Sequence, residues 1–463
     1  MIFTNDNKDR PSFIKLSITQ NGKEYNFDFK EPFRSGKQGL NKEPFDFVLT
    51  IDKDEYTGKG SFGQDALWLP YGNGAGLKII RTENNWPHAL DPDQVVKNIN
   101  YIKQINSEIF PNIQWVTKAD ISGQACVIAE MEDIQDIEME YRRPDYMPEE
   151  DFNYYKDILN VPVQILKKCI TEFINHKLLP ETSWYKNGGF GARNILDGKI
   201  VDFHLFEHKP SMYNFPVKEC STDECQKIYD NALERYKRWT PIDGVPKWKG
   251  KIYQGMNFNN GFTMPGYSSD NENFDSYVKA CFLPLDKVKD KKVLDLGSNQ
   301  GFFDFQCALA GAETTGIEIT KEDVELATDI KDKILKLEKS EFIHGDAIKY
   351  LYETKDWFEV IIMSSVLHQT HPDLYACDDF LQSLASKCRY FFFETPVGHK
   401  HYNFSLKQIT EKLQEHFYDV RMLYFYDCYS TGYRAVYICY PWDSLQNGPG
   451  VYKQIREEGR LKK

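Results

Sequence analysis

Three acidic residues, Asp295, Glu318 and Asp346, each follow or close a short apolar run. Residues 293–303 read VLDLGSNQGFF: an apolar run holding Asp295, then Gly297, Ser298, Asn299 and Gly301, then two aromatics. Glycines at 297 and 301 let the backbone turn tightly and approach a ligand where a Cβ would collide. Glu318 suits a vicinal diol, because a carboxylate accepts two O–H bonds at once. Asp346, followed by Ala347, is suited to accept from an amino group. Ser364 and His368 lie in SSVLHQ, after another apolar run. His368 offers a base or a substrate ligand. Each residue alone reads equally well as a solvated loop end or a pocket wall, so the joint spacing carries the reading.

Such residues must stand at the ends of strands. Apolar runs at 293–296, 314–317, 341–343, 358–363 and 390–394 alternate with helical patterns near 302, 321–337 and 406–415. Runs at 420–426 and 433–440 close the region as a hairpin, and a helix over 276–284 precedes it. This alternation predicts a parallel α/β sheet that binds ligands at the carboxyl ends of its strands. The turn is D-x-G-x-x-x-G, not the G-x-G-x-x-G of dinucleotide enzymes.

That turn resembles motif I of the class I S-adenosylmethionine (SAM) methyltransferases. The resemblance implies a Rossmann-like seven-stranded sheet over 286–442. It implies SAM as cofactor, held by Asp295, Gly297, Ser298, Asn299, Gly301, Glu318, Asp346, Ala347 and Ser364. Glu318 would take the ribose hydroxyls and Asp346 the adenine amino group, with His368 as the catalytic residue. Methyl transfer mainly requires nucleophile, methyl and sulfur held in line. A hydroxyl acceptor needs a base; a phosphate oxygen does not. His399 and Lys400, on the same edge, suit an anionic acceptor. The aromatic, glycine-rich stretch 241–267 reads as a strap over the pocket, with Tyr253 and Tyr267 on the substrate side. Residues 293–369 are similar to bacterial methyltransferases of glycan termini, including the fused kinase–methyltransferases that cap O-antigen polysaccharides. The implied partner is a glycan or a phosphorylated small molecule.

The earlier half carries a second pattern. Gly58, Gly60 and Gly63 are followed by a strand, a turn and LKII, which holds Lys78. A helix begins near Asp91, two strands run to Met131-Glu132-Asp133, and a further helix covers 161–177. Asn194 and Asp202 come next, in NILDGKIVDF. The order resembles an α+β, two-lobe protein kinase. That resemblance implies nucleotide binding by Gly58, Gly60, Gly63, Lys78, Asn194 and Asp202, with Asn194 and Asp202 holding Mg2+ against ATP. The position of the kinase catalytic aspartate is Gly189, and His204 replaces the last glycine of the metal motif. Phosphoryl transfer would therefore lack its base.

The 463 residues suffice for several domains, and no apolar run approaches the roughly 20 residues a membrane helix needs. A net charge of −12 weighs against a broad nucleic-acid face. Ten scattered cysteines without CxxC, and no signal-like start, read as a cytoplasmic protein with reduced thiols. The expected organisation is an extension (1–45), a kinase-like domain (46–240), a connector (241–285), a methyltransferase domain (286–442) and a charged tail (443–463). The expected function is SAM-dependent O-methylation of a glycan or sugar phosphate. A nucleic-acid methyltransferase and a non-catalytic pseudokinase–methyltransferase-fold regulator are the alternatives.

Overall fold

The computed structural model describes residues 13–30, 45–62, 66–82, 91–121, 124–134, 139–145, 147–159, 161–180, 195–201, 203, 206–209, 213–237, 252–266, 275–398, 402–428 and 432–441. The chain divides into two compact units. One joins Met1–Glu138 to Asn194–Phe206, the other Met139–Arg193 to Glu207–Lys463.

The first unit is an antiparallel sheet of β1 (Phe13–Gln20), β2 (Lys23–Lys30), β3 (Phe45–Ile51), β4 (Asp54–Phe62), β5 (Ala66–Gly72), β6 (Ala75–Arg81), β7 (Ile113–Ile121) and β8 (Gln124–Glu132). Its order is β1-β2-β3-β4-β5-β6-β8-β7. Alternate residues point to one face, as strand geometry requires. They bury Tyr25, Phe47, Leu49, Leu69, Leu77, Trp115 and Ile128 in a single core. The sheet curls until its ends meet: Trp115 in β7 packs edge-on against Tyr25 in β2 at 5.1 Å and donates to its hydroxyl at 3.2 Å. Residues 13–30, read from sequence as part of a separate extension, supply the first two strands of this sheet. Helix α1 (Pro92–Ile105) starts at Asp91, whose side chain caps the Asp93 amide, and buries Val95, Ile99 and Ile102. The hairpin of β10 (Ile195–Leu196) and β11 (Lys199–Ile200) is tied to β8 by the Lys199–Glu132 ion pair at 2.6 Å.

Gly58 and Gly60 lie inside β4, paired with Phe47 and Phe45 of β3, rather than in the loop their spacing suggested. The absent side chain at Gly58 leaves room for the Phe47 ring, which a Cβ would meet at 3.0 Å. Gly63 lies outside the described residues.

The second unit opens with α2 (Glu149–Leu159) and α3 (Val163–Asn175), then β9 (Leu178–Leu179) paired with β12 (Glu207–His208). Helix α4 (Thr222–Lys237) and the small hairpin of β13 (Met256–Asn257) and β14 (Thr263–Met264) lead to α5 (Asp275–Ala280). The main sheet contains β15 (Lys292–Leu296), β16 (Glu313–Glu318), β17 (Ser340–His344), β18 (Phe358–Ser364), β19 (Cys388–Val397), β20 (Asp419–Cys428) and β21 (Gly432–Tyr440). Its order is β17-β16-β15-β18-β19-β21-β20. The first five strands are parallel; β21 runs antiparallel to β19 and to β20. Consecutive buried residues in β18 and β19 fit a sheet covered on both faces. The helices of this α/β region are α6 (Phe302–Leu309), α7 (Lys321–Asp329), α8 (Ala347–Glu353), α9 (Leu367–Thr370), α10 (Asp378–Lys387) and α11 (Leu406–Gln414). The long helix expected over 321–337 is instead α7 followed by a π-helical turn, Ile330–Leu335, which stops where Lys336 turns left-handed. No helix among the described residues is long and apolar enough to cross a membrane.

Asp151 on α2 joins the early helices to this sheet. Its carboxylate accepts the Tyr433 hydroxyl of β21 at 2.5 Å and the Leu406 amide of α11 at 3.0 Å. Both donors are shielded from water, so losing their acceptor is costly. Asp151→Ala is expected to destabilise the second unit by about 1–3 kcal/mol, read as a lower denaturant midpoint. An unchanged midpoint would show that α2 is not held there.

Candidate functional site

The strand register sets Asp295, Glu318 and Ser364 along one carboxyl edge. Leu296 pairs with Ile317, Asp295 with Ile362, Glu318 with His344 and Ser364 with Glu394. The turn after β15 folds over its neighbour, because the Gly297 and Ser298 amides both donate to the Ile317 carbonyl, at 2.9 and 3.1 Å. Gly297 and Gly301 are left-handed, with φ of 83° and 80°. A Cβ at Gly297 would sit 2.3 Å from Val366 Cγ2, and one at Gly301 2.6 Å from the Phe342 ring. Asn299 is left-handed too, at φ 51°. Its amide donates to Glu318 Oε2 at 3.0 Å, while Thr320 donates to Oε1 at 2.8 Å. Glu318 is 8% exposed, and each oxygen has taken only one of these bonds, so both can still accept from a ligand.

Asp346 caps α8, and its Oδ1 accepts the Ile348 and Lys349 amides at 2.8 and 3.1 Å. Only its other oxygen is left for an amino group. Ala347 opens that helix.

Beneath the turn lies a carboxyl pair whose second member the sequence reading missed. Asp295 is 1% exposed and Asp304, on α6, is 0% exposed. Among the described residues neither Asp304 oxygen meets a donor, nor does Asp295 Oδ2. A proton held by Asp304 and donated to Asp295 pairs one oxygen of each carboxyl, leaving the other Asp304 oxygen without a donor among the described residues. Burial, then the charge of Asp295, pushes Asp304 far above the carboxylate range. Burial raises Asp295 to about 7; the Asp304 proton opposes the rise and the charge of Glu318 adds to it. An acid amid FFDFQCA was the available signal.

Asp323 forms a second brace. It accepts from Tyr236 on α4 and from Gln300 in the turn, and burial lifts it to about 6 despite these bonds. Gln300 Oε1 in turn accepts the Gln254 amide at 3.2 Å, so the strap is tied to the glycine turn. Tyr253 is half-buried beside that contact. Tyr267, His399 and Lys400 lie outside the described residues.

Within β19, opposite the end of β18, Glu394 is 0% exposed. Ser364 Oγ donates to it at 3.0 Å, Ser365 Oγ at 2.5 Å and Arg434 Nη1 at 2.8 Å. Burial would raise its pKa, but Arg434, Lys279 and the Ser365 hydroxyl hold it down to about 2. His368, on the single turn α9, sets its ring edge-on to Tyr402 at 6.2 Å.

In the first unit Lys78 Nζ donates to the Val201 carbonyl at 2.8 Å, one residue before Asp202 in sequence. Asn194 and Asp202 themselves lie outside the described residues. Elsewhere, Asp378, Glu415 and His416 gather as a metal site might require, but the Lys412 ammonium already bonds both carboxylates, at 2.5 and 2.8 Å.

Residues 287–431 match the family model of a methyltransferase domain. A curated relative, the uncharacterised RNA methyltransferase pc0248 of Protochlamydia amoebophila (strain UWE25), is 29% identical over 173 residues, 34% of this chain. The chain spans 38% of the length of that relative. Similar solved structures include the bifunctional kinase–methyltransferase WbdD (20% identity, 45% of this chain and 46% of that chain, TM-score 0.34). Another is the N-terminal domain of EvdMO1 with SAH bound (11% identity, 47% of this chain and 97% of that chain, TM-score 0.33). A methyltransferase domain implies SAM as the methyl donor. The residues fit it: the Glu318 carboxylate matches a ribose diol, and the turn beside it has no space for side chains at 297 or 301.

Two measurements follow from this geometry. Burial raises the folded Asp295 carboxyl from an ordinary 3.8 to about 7. Between those values the folded chain keeps a proton that the unfolded chain has lost, so stability falls as pH rises through that window. Asp295→Asn should flatten this fall in the unfolding midpoint; an unaltered slope would remove the shared-proton account. Gly297→Ala, strained by φ and by Val366, should cost about 1–3 kcal/mol in the same assay.

Proposed function

We propose that the chain is a SAM-dependent O-methyltransferase whose acceptor is a glycan or a sugar phosphate. The observation that carries the proposal is Glu318, a nearly buried carboxylate fixed by two backbone amides beside a left-handed glycine turn. Bound SAM supplies a methyl group on a sulfonium. Glu318 would hold the ribose, and the Gly297–Gly301 turn would admit the amino-acid half. Val366, packed over Gly297, and the ends of β18 and β19 would exclude water from the transfer path. Glu394, held near 2, cannot take a proton at neutral pH. His368 is the residue assigned here to deprotonating a hydroxyl, whereas a phosphate oxygen arrives already anionic. The substrate-side roles of Tyr253, Tyr267, His399 and Lys400 belong to this reading, as does action in polysaccharide biosynthesis in the cytoplasm.

RNA as acceptor is the second reading, favoured by the name of the curated relative. The net charge of −12 opposes it. Labelled methyl transfer to phosphorylated sugars and glycans, run beside total RNA over a salt series, separates the two. The proposal expects sugar or glycan labelling with little dependence on salt. Labelling of RNA alone, falling steeply with salt, would replace it. Glu318→Ala is expected to weaken SAM binding about 10- to 100-fold, as loss of charge-assisted bonds to a diol should; unchanged affinity in a thermal-shift titration would move the ribose elsewhere.

The first unit is read as a kinase-like module that binds a nucleotide or the substrate, with Lys78 on the phosphates and Asn194 and Asp202 on magnesium. Its support is the order of these residues in the sequence and the bond from Lys78 to Val201, beside Asp202. Magnesium–ATP should bind the wild-type chain in calorimetry and fail to bind Lys78→Met. No heat from the wild type would leave substrate docking as that unit's role.

A further inference from the structure

Lys279, on α5, is 2% exposed. Its ammonium has three donors and makes no hydrogen bond among the described residues. The Glu394 carboxylate stands 3.7 Å away, too far for one. The Glu394 oxygen facing it already accepts from Ser364 and Ser365. On another side the ammonium stands 5.6 Å from the centre of the Phe303 ring. An ammonium almost removed from water with unused donors is poorly compensated, and a ligand oxygen that meets them improves on the little water left to it.

The place of this ammonium is informative. Phe303 lies in the first turn of α6, directly after the glycine turn. Ser364 ends β18, and Ser365 follows it at φ 60°, a strained left-handed conformation held by the Glu394 carbonyl and carboxylate. Lys279 thus stands between the cofactor turn and the strand ends where an acceptor would arrive. Lys279 and Arg434 are buried cations beside Glu394, and Lys279 also acts on the buried Asp295 carboxyl. Arg434 Nη1 is spent on Glu394 and Ser365, whereas the Lys279 donors are open to an arriving anionic oxygen.

We propose that Lys279 is a ligand-binding residue that takes an anionic oxygen, of a carboxylate or a phosphate, inside the methyl-transfer site. The inference rests on the methyltransferase reading above for the identity of that site. Two molecules can bring the oxygen: the cofactor, through the carboxylate of its amino-acid half, or the acceptor.

Lys279→Met keeps the length and apolar stem and deletes the donors. Calorimetry on the full chain would use S-adenosylhomocysteine and 5′-methylthioadenosine, which shares the nucleoside and lacks the carboxylate. If the cofactor supplies the oxygen, S-adenosylhomocysteine affinity drops about tenfold or more while methylthioadenosine is unaffected. If the acceptor supplies it, both adenosine ligands bind as before, and inorganic phosphate, titrated onto chain saturated with S-adenosylhomocysteine, loses about tenfold or more in affinity. Lys279→Arg restores whichever loss is seen. Lys279→Gln, which keeps a neutral donor, gives a second reading if the methionine variant fails to fold. Variants that bind all three probes as the wild type does overturn the inference and leave the methyltransferase reading standing. A wild-type chain that binds none of them removes the site itself.

Discussion

Glu394 is wholly buried, Arg434 and Lys279 hold its carboxyl well below the usual range, and the carboxyl edge of the second unit is arranged around it. Taking a carboxylate out of water costs several kcal/mol unless partners surround it. Here four residues supply them: Ser364 from the end of β18, Ser365 just beyond it, Arg434 from β21 and Lys279 from α5. None of these can shift far without exposing a buried charge to apolar surroundings. The same constraint sets where the antiparallel strand β21 must pair with β19, because Glu394 sits opposite Val436 and beside Arg434. The edge where chemistry would happen is thereby fixed by a buried ion cluster, and the loop carrying Val366 and His368 starts from it.

The glycine turn, where the proposal puts the cofactor, is fixed by a different device. Three left-handed residues within five positions, Gly297, Asn299 and Gly301, turn the chain back over Ile317 and bring two amides to its carbonyl. Glycine makes this turn cheap at two of them, while Asn299 is held by the Glu318 carboxylate. Glu318 is thus both a brace for the turn and the acceptor its neighbours leave open. The strap at Gln254 and helix α4 at Tyr236 meet the same turn through Gln300 and Asp323, so elements distant in sequence share one loop.

How much of this was legible depends on how far apart the partners lie. The strand ends at Asp295 and Glu318 could be read because apolar runs and turn residues are local signals. The Asp346 cap is equally local, but the same acid serves a helix start or a ligand, and spacing does not separate the two. Asp304 was missed because an acid in the first turn of a helix ordinarily faces water, whereas this helix is buried on nearly every side. Arg434 and Lys279 lie 40 and 115 positions from Glu394, and only the sheet order brings them together. In the first unit the glycines at 58 and 60 suggested a loop, because composition cannot show that Phe47 occupies the space a side chain at 58 would need.

The central claim is that this carboxyl edge binds an adenosyl amino acid beside Glu318. Its most direct test is a calorimetric titration of the wild-type chain with S-adenosylhomocysteine. The account predicts saturable binding at one site per chain, together with protection of the Asn299 and Thr320 amides from hydrogen exchange. No heat at millimolar ligand, or binding that leaves both amides as exchangeable as before, would contradict it.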